Sequence, residues 1–331
     1  MNPNSNSQNF SPNVLVTSVG RRVTLVSHFS AAVASISGGQ VIVTDRNPTL
    51  SAACHVVDQA IEVPSVLDPS YPEHLLALCR EHGISLIIPT IDTELLVLAE
   101  LRDMWLEEHG IRIAISDLEF IRNCRNKRAT ADLFAQIGIK TPRELDINSD
   151  VFPRFIKPIS GSRSVDLHTV YHDSEILERL RNSDEFIHQE LVDRKEFQEY
   201  TVDVYYNLDG SLGCVVPRLR LEVRDGEVSK GKTHKGLLLP FLESKLSNLT
   251  GAFGCITTQF FVRENSDEAE VLGIEINPRF GGGYPLTHAA GGQYVDWLVA
   301  AHFTGSSVSY SDSWIENMTM LRYDAEVFSV D

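Results

Sequence analysis

The first 115 residues alternate short β-branched apolar runs with helical patterns, and this alternation constrains the fold more than any other feature. Val14-Leu-Val-Thr17 runs into Gly20 and a helical stretch over 21–34. A second strand, 40–44, closes on Asp45-Arg-Asn-Pro48, and a third covers 61–63. A helix over 72–82 stops at Gly83, a fourth strand spans 85–88, and a helix over 92–107 precedes the strand 111–115. Strands separated by helices at this spacing predict a parallel α/β sheet. Ligands of such sheets sit beyond the carboxyl ends of the strands. Pro89-Thr-Ile-Asp92-Thr-Glu94 occupies such an end, which makes Asp92 and Glu94 candidates for substrate contact. Asp92 has an equally good use as the cap of the next helix.

The pattern changes after residue 117. Helical signals cover 117–122 and 126–136, and the second stops at Gly138. From 151 onward strands dominate: 155–157, 186–189, 200–206, 213–219, 256–262 and 269–276. Leu208-Asp-Gly210 and Arg224-Asp-Gly226 are hairpin-turn signals. Helices are expected over 241–253 and 285–302. The expected organisation is a polar tail (1–12), an α/β domain (13–117) and two α+β segments (118–189 and 190–331).

Bulk properties exclude several classes. Acidic residues outnumber basic ones, 45 to 29, for a net charge of −16. Such a chain is repelled by nucleic acid and by anionic membranes, and no basic patch stands out in the sequence. No apolar run approaches the roughly 20 residues that cross a bilayer. The first dozen residues lack the basic and apolar regions of a signal peptide. The five cysteines have neither metal-ligand nor redox-motif spacing, so a reducing cytoplasm is the expected location.

Gly226-Glu-Val-Ser-Lys-Gly231-Lys232-Thr233 fits the phosphate-binding P-loop pattern letter for letter. The mechanism requires a buried apolar strand before the loop and a helix directly after it. Here the preceding Arg220-Leu-Glu-Val-Arg-Asp alternates charged and apolar residues, and Gly236 and Pro240 oppose a helix. The pattern is therefore rejected. The neighbouring Lys230, Lys232, Lys235 and His234 fit contact with phosphate or substrate, with a solvated loop as the plainer reading.

Four other signals, in chain order, fit one nucleotide site. Asn126-Lys127 opens a helix. Arg154-Phe-Ile-Lys157 is a strand ending in lysine, followed by a loop containing Ser160, Gly161, Ser162 and Ser164. Phe186-Ile-His-Gln189-Glu190-Leu191-Val192 is a strand leading to Glu199. Gln259 is followed by Glu275-Ile-Asn277-Pro278-Arg279 and a glycine run beginning at Gly281 and Gly282. Two lysines on separate elements can neutralise phosphates, and a Gly/Ser loop can close over them through backbone donors. Glu275 and Asn277, two apart on a strand, share a face. With Gln259 they make an oxygen-donor set suited to Mg²⁺. Arg279 on that face can steady a transferring phosphoryl group. Taken singly, each signal has a plainer use as a solvated charge, an edge residue or a turn; their joint order carries the reading. Arg218 and Arg220 share a strand face and fit either an acidic substrate or surface salt bridges.

The order and wording of these motifs resemble the ATP-grasp superfamily, most nearly a single synthetase half of the carbamoyl-phosphate synthetase large subunit. The resemblance runs from about Val14 to Asp331. It implies a Rossmann-like preATP-grasp domain followed by a two-part ATP-grasp domain. It assigns phosphate contacts to Lys127 and Lys157, the adenine hinge to Gln189, Glu190, Leu191 and Val192, and the ribose to Glu199, with Glu196 as a rival. Gln259, Glu275 and Asn277 would hold Mg²⁺ (or Mn²⁺), and Arg279 and Lys157 would act on the reacting groups. Gly281 and Gly282 are candidates for substrate contact. One departure stands out: similar loops carry glycine where this chain has Asp166, and often at Arg163. The implied activity is ATP-dependent ligation of a small-molecule carboxylate to an amine or other nucleophile through an acyl phosphate, with ADP and phosphate released. Bicarbonate or carbamate phosphorylation with a partner subunit, and a non-catalytic ATP-binding module, are the alternatives. A homodimer is compatible with the resemblance.

Overall fold

The computed structural model describes residues 12–161, 166–224 and 226–329. The leading strands β1 (Asn13–Val16), β2 (Val41–Asp45), β3 (Gln59–Glu62), β4 (Ile84–Ile88) and β5 (Arg112–Ile113) form one parallel sheet in the order β3-β2-β1-β4-β5. Their crossovers contain α1 (Val23–Ile36), α2 (Tyr71–Glu81) and α3 (Asp92–His109). β4 is buried throughout because helices cover both faces of the sheet, so its sequence is an apolar run rather than an alternation. The parallel α/β expectation holds. Two helices, α4 (Leu118–Arg125) and α5 (Lys127–Gln136), lead out of this sheet.

A small antiparallel sheet follows, ordered β7-β6-β8 from β6 (Arg154–Pro158), β7 (His168–Val170) and β8 (Phe186–Glu190). The third sheet has six strands in the order β13-β12-β9-β10-β11-β14 and is antiparallel throughout. Its members are β9 (Gln198–Tyr206), β10 (Leu212–Arg224), β11 (Glu227–Thr233), β12 (Gly254–Glu264), β13 (Ala269–Asn277) and β14 (Thr319–Leu321). Along β9 the side chains alternate. Tyr200, Val202 and Val204 enter the main core, while Glu199, Thr201 and Asp203 face the other way.

Three expectations change. The helix over 241–253 is the shorter α6 (Leu238–Leu246). The single helix over 285–302 is two, α7 (Tyr284–Ala290) and α8 (Tyr294–Thr304), because Gly291 adopts φ 117° and ends the first. The strand β11 carries Ser, Lys, Gly and Thr and lacked an apolar signal; it fills the rejected P-loop pattern. Thr233 pairs with Arg218, and Lys232 with Leu219, across an antiparallel ladder, so no phosphate-cradling loop exists there.

α5 packs on β13 through one close approach. A Cβ placed on Gly273 would lie 2.5 Å from the Phe134 ring, and that ring meets Phe260 edge-on at 5.6 Å. Gly273→Ala is expected to destabilise the fold by about 2–3 kcal/mol, as forced overpacking does. Chemical denaturation checks this, and an unchanged midpoint would show that α5 shifts freely.

Candidate nucleotide and phosphoryl-transfer site

The site lies on the face of the large sheet turned away from the main core, the side that carries Glu199 and Thr201. Gln259 on β12 stands directly opposite Glu275 on β13, and Asn277 shares the Glu275 face. Glu275 Oε1 accepts from Gln259 Nε2 at 2.7 Å and from Asn277 Nδ2 at 2.8 Å. The three predicted metal ligands are therefore within one hydrogen bond of each other. The set fits Mg²⁺ by its chemistry, since all three can offer oxygen. It holds only one carboxylate, and among the described residues no group of three His, Cys, Asp or Glu side chains could hold a metal alone. A set this weak suits a metal that shares its coordination with phosphate oxygens.

Two lysines face this set. Asn126 caps α5, accepting from the backbone N–H groups of Arg128 and Ala129, and so fixes Lys127 at the helix start. Lys127 Nζ donates to the Gly161 carbonyl at 3.4 Å. Lys157 on β6 is buried, and its pKa falls to about 8, first through desolvation and then through the nearby Lys127; Glu275 partly opposes this. Burial also lowers the Lys127 pKa, against Glu275. Lys127, Gly161, Asp92, Glu275 and Asn277 line a cavity of about 20 Å³. A cleft of about 800 Å³ passes the predicted hinge residues Glu190, Leu191 and Val192 and ends at Glu196 and Arg263.

The rival carboxylates separate. Glu199 lies on the site face and is held by Arg194 at 2.5 Å and Arg220 at 2.7 Å. Arg220 also donates to Gln259 Oε1 at 2.9 Å, which joins Glu199 to the metal set. Glu196 instead pairs with Arg263 at the far end of the larger cleft. Arg279, just beyond β13, reaches across to the start of α3. Its Nε and Nη2 clamp both oxygens of Asp92, at 2.8 and 2.7 Å. Asp92 is thus neither a helix cap nor a free substrate contact: it is the counter-charge of Arg279.

Several other predicted contacts serve the fold. Glu94 is wholly buried and accepts from Thr17 Oγ1, Ser18 Oγ, Tyr71 OH and the Thr90 N–H, so it ties two loops together. Burial raises its pKa. The Gln189 side chain is buried and donates to the Pro142 carbonyl, which leaves only its backbone for a ligand. Glu190 is held by the Arg143 N–H at 2.9 Å. Arg218 is buried in an ion pair with Asp203 at 2.8 Å. Gly281 and Gly282 are needed for packing: added Cβ atoms would come within 2.8 Å of Thr257 and 2.7 Å of Glu227. Ser160 and Gly161 are exposed at the end of β6, while Ser162, Arg163 and Ser164 lie outside the described residues. Asp166, in place of the usual glycine, takes φ 59° and is gripped by both Arg179 Nη atoms and by His168.

Sequence reasoning missed a charged group beside this site. Arg21, Arg22, Glu227 and Arg322 come from segments far apart in the chain and had no local signal.

Residues 14–114 match the family "PylC-like, N-terminal domain". Residues 187–325 match "ATP-grasp in the biosynthetic pathway with Ter operon". The chain carries an ATP-grasp domain over the second of these ranges, behind a PylC-like leading domain. It holds one synthetase-like half of that architecture. The biotin carboxylase domain dimer of Hydrogenobacter thermophilus 2-oxoglutarate carboxylase, in complex with MgADP, ADP and bicarbonate, superimposes with a TM-score of 0.72 at 15% identity. That match covers 94% of this chain and 74% of that one. N5-carboxyaminoimidazole synthetase from Staphylococcus aureus, complexed with ADP, gives 0.68 at 15% identity, over 92% and 81%. L-amino acid ligase from Bacillus licheniformis gives 0.65 at 15% identity, over 88% and 74%. These likenesses confirm the ATP-grasp fold. No curated protein matches the chain. Among the described residues, no helix of this ATP-grasp chain is long and apolar enough to cross a membrane.

Proposed function

We propose that the chain is an ATP-dependent carboxylate ligase that works through an acyl phosphate. The observation that carries this is the Gln259/Glu275/Asn277 oxygen set facing Lys127 and Lys157, with Arg279 just beyond the strand that bears Asn277. Lys127 and Lys157 neutralise the phosphates of ATP and hold them in line for attack. Bound Mg²⁺ at Gln259, Glu275 and Asn277 would supply charge balance to the phosphates. A substrate carboxylate attacks the γ-phosphorus, and ADP leaves with the bonding electron pair. Arg279, oriented by Asp92, offsets the charge on the transferring group. An amine or other nucleophile then attacks the acyl carbon, phosphate departs, and the nucleophile's proton is lost to solvent. Leu191 and Val192 serve as the adenine hinge and Glu199 binds the ribose. We place the domain boundaries near 117 and 189, and the protein works on small molecules in the cytoplasm.

A second reading keeps the same first step with bicarbonate as the carboxylate. Its support is the bicarbonate named with the Hydrogenobacter carboxylase domain. Phosphate release from Mg-ATP, measured with amino acids, other small carboxylates and bicarbonate in turn, separates the two. A rise with one carboxylate supports ligation, and a rise with bicarbonate alone supports the second reading. Nucleotide binding with no release under any condition would remove both and leave a regulatory module. In the same assay Lys232→Ala is expected to retain turnover within about twofold, because Lys232 lies in the β10–β11 ladder away from the lysine pair. Loss of activity in that variant would overturn the site.

A further inference from the structure

We propose that Arg21 and Arg322 form a recognition site for an anionic group, carboxylate or phosphate, on a substrate of this enzyme. The proposal rests on the ligase reading for the word substrate, but its geometry is independent of it. The loop after β1, the start of β11 and the segment after β14 converge here. Glu227 Oε2 is 3.2 Å from Arg21 and 2.9 Å from Arg322. Arg22 lies close enough to act on the same carboxylate, yet its own hydrogen bonds go to carbonyls, those of Phe280 at 3.1 Å and Thr90 at 3.0 Å. Three guanidiniums therefore share one carboxylate. Burial favours the protonated form of Glu227, but these arginines hold its pKa below the usual range.

A positive surplus is notable in a chain of net charge −16. It is also partly open: the Arg21 side chain is 63% exposed and that of Arg322 28%. A second feature points the same way. Arg218, buried beneath the glycine turn, has Nε and Nη1 without partners, and a Cβ on Gly283 would lie 1.9 Å from that Nη1. The turn is built from glycine so that guanidinium and carboxylate can approach its backbone; Arg322 donates to the Gly282 carbonyl. The cluster is continuous with the reaction centre. The Phe280 carbonyl that accepts from Arg22 also accepts from Arg279 at 3.2 Å, and Arg279 is clamped to Asp92 in the wall of the phosphate cavity. A substrate with its reacting carboxylate at that cavity can lay a second anionic group on Arg21 and Arg322, whose charges are incompletely neutralised by Glu227. The substrate class is thus a dicarboxylic or phosphorylated small molecule.

Direct binding to the full chain with Mg-ADP tests this without turnover, using calorimetry with L-glutamate, O-phospho-L-serine and the neutral L-glutamine. One of the two charged probes is expected to bind at least tenfold more tightly than L-glutamine, and whichever does so identifies the anion. Arg21→Met, an exposed position that leaves the fold intact, should weaken that probe about tenfold; Arg21→Met with Arg322→Met should abolish the preference. ADP affinity should not move in either variant. Glu227→Gln should tighten the charged probe several-fold. Equal binding of all three probes, or a preference unchanged in Arg21→Met, overturns the site. Anion preference without any ATP turnover would retain this site and remove the ligase reading; turnover with neutral substrates only would do the reverse.

Discussion

Glu275→Gln is expected to cut Mg-ATP turnover by about 10³-fold while leaving the fold intact. The substitution keeps the oxygen that accepts from Gln259 and Asn277, so the local hydrogen bonds persist. It removes the only carboxylate of the metal set. A thousandfold loss corresponds to about 4 kcal/mol of transition-state stabilisation, the scale on which charge balance at a transferring phosphoryl group operates. Nucleotide affinity should lose its dependence on Mg²⁺, whereas binding in a chelator should be unchanged. Steady-state kinetics and calorimetry with and without Mg²⁺ measure both. A variant with near-normal turnover would mean that the metal is held elsewhere.

Lys157→Met should have an effect of opposite sign on stability and function. With its pKa at about 8 against an ordinary 10.5, buried Lys157 costs the folded chain about 3 kcal/mol wherever it is charged in both states, below pH 8. Between about pH 8 and 10.5 the unfolded chain holds a proton that the folded one has released, so stability rises with pH and the penalty fades. Methionine fills the same space without charge. The nucleotide-free variant should therefore unfold at a higher temperature at pH 7, and added Mg-ADP should no longer raise it. In the wild type, phosphates restore the charge, so ADP binding near pH 8.5 should take up a proton, measurable in buffers of different ionisation enthalpy. A variant that melts lower, or still responds to ADP, contradicts this account. The lysine is an example of stability given up for binding.

What the sequence revealed follows from how locally each signal is written. Glu275 and Asn277 are two apart on a strand, and that spacing alone places them on one face. The cap at Asn126 fixes Lys127 in the same local way. The parallel sheet was legible because β1, β2 and β4 carry continuous apolar runs. What the side chains of Glu94, Gln189 and Arg218 bond to was not legible, for the converse reason. Their partners, Thr17, Pro142 and Asp203, lie 77, 47 and 15 residues away, and nothing near a polar side chain in sequence says that it will be buried against them. The group around Glu227 draws Arg21, Arg22 and Arg322 from widely separated segments and had no expression in any one of them. β11 escaped notice because its residues are polar, and its place in the sheet is set by the ladder with β10 rather than by an apolar pattern.

The clamp between Asp92 and Arg279 has a bearing on engineering. The acid belongs to the leading domain and the base to the ATP-grasp segment, 187 residues further on. A chimera that takes its leading domain from another enzyme inherits whatever that donor places at the start of α3. Without an acid there, Arg279 is left with the Phe280 carbonyl alone, and the graft would express a well-folded nucleotide domain whose arginine points nowhere useful. Parts from this architecture are exchangeable only when the two halves of that handshake travel together.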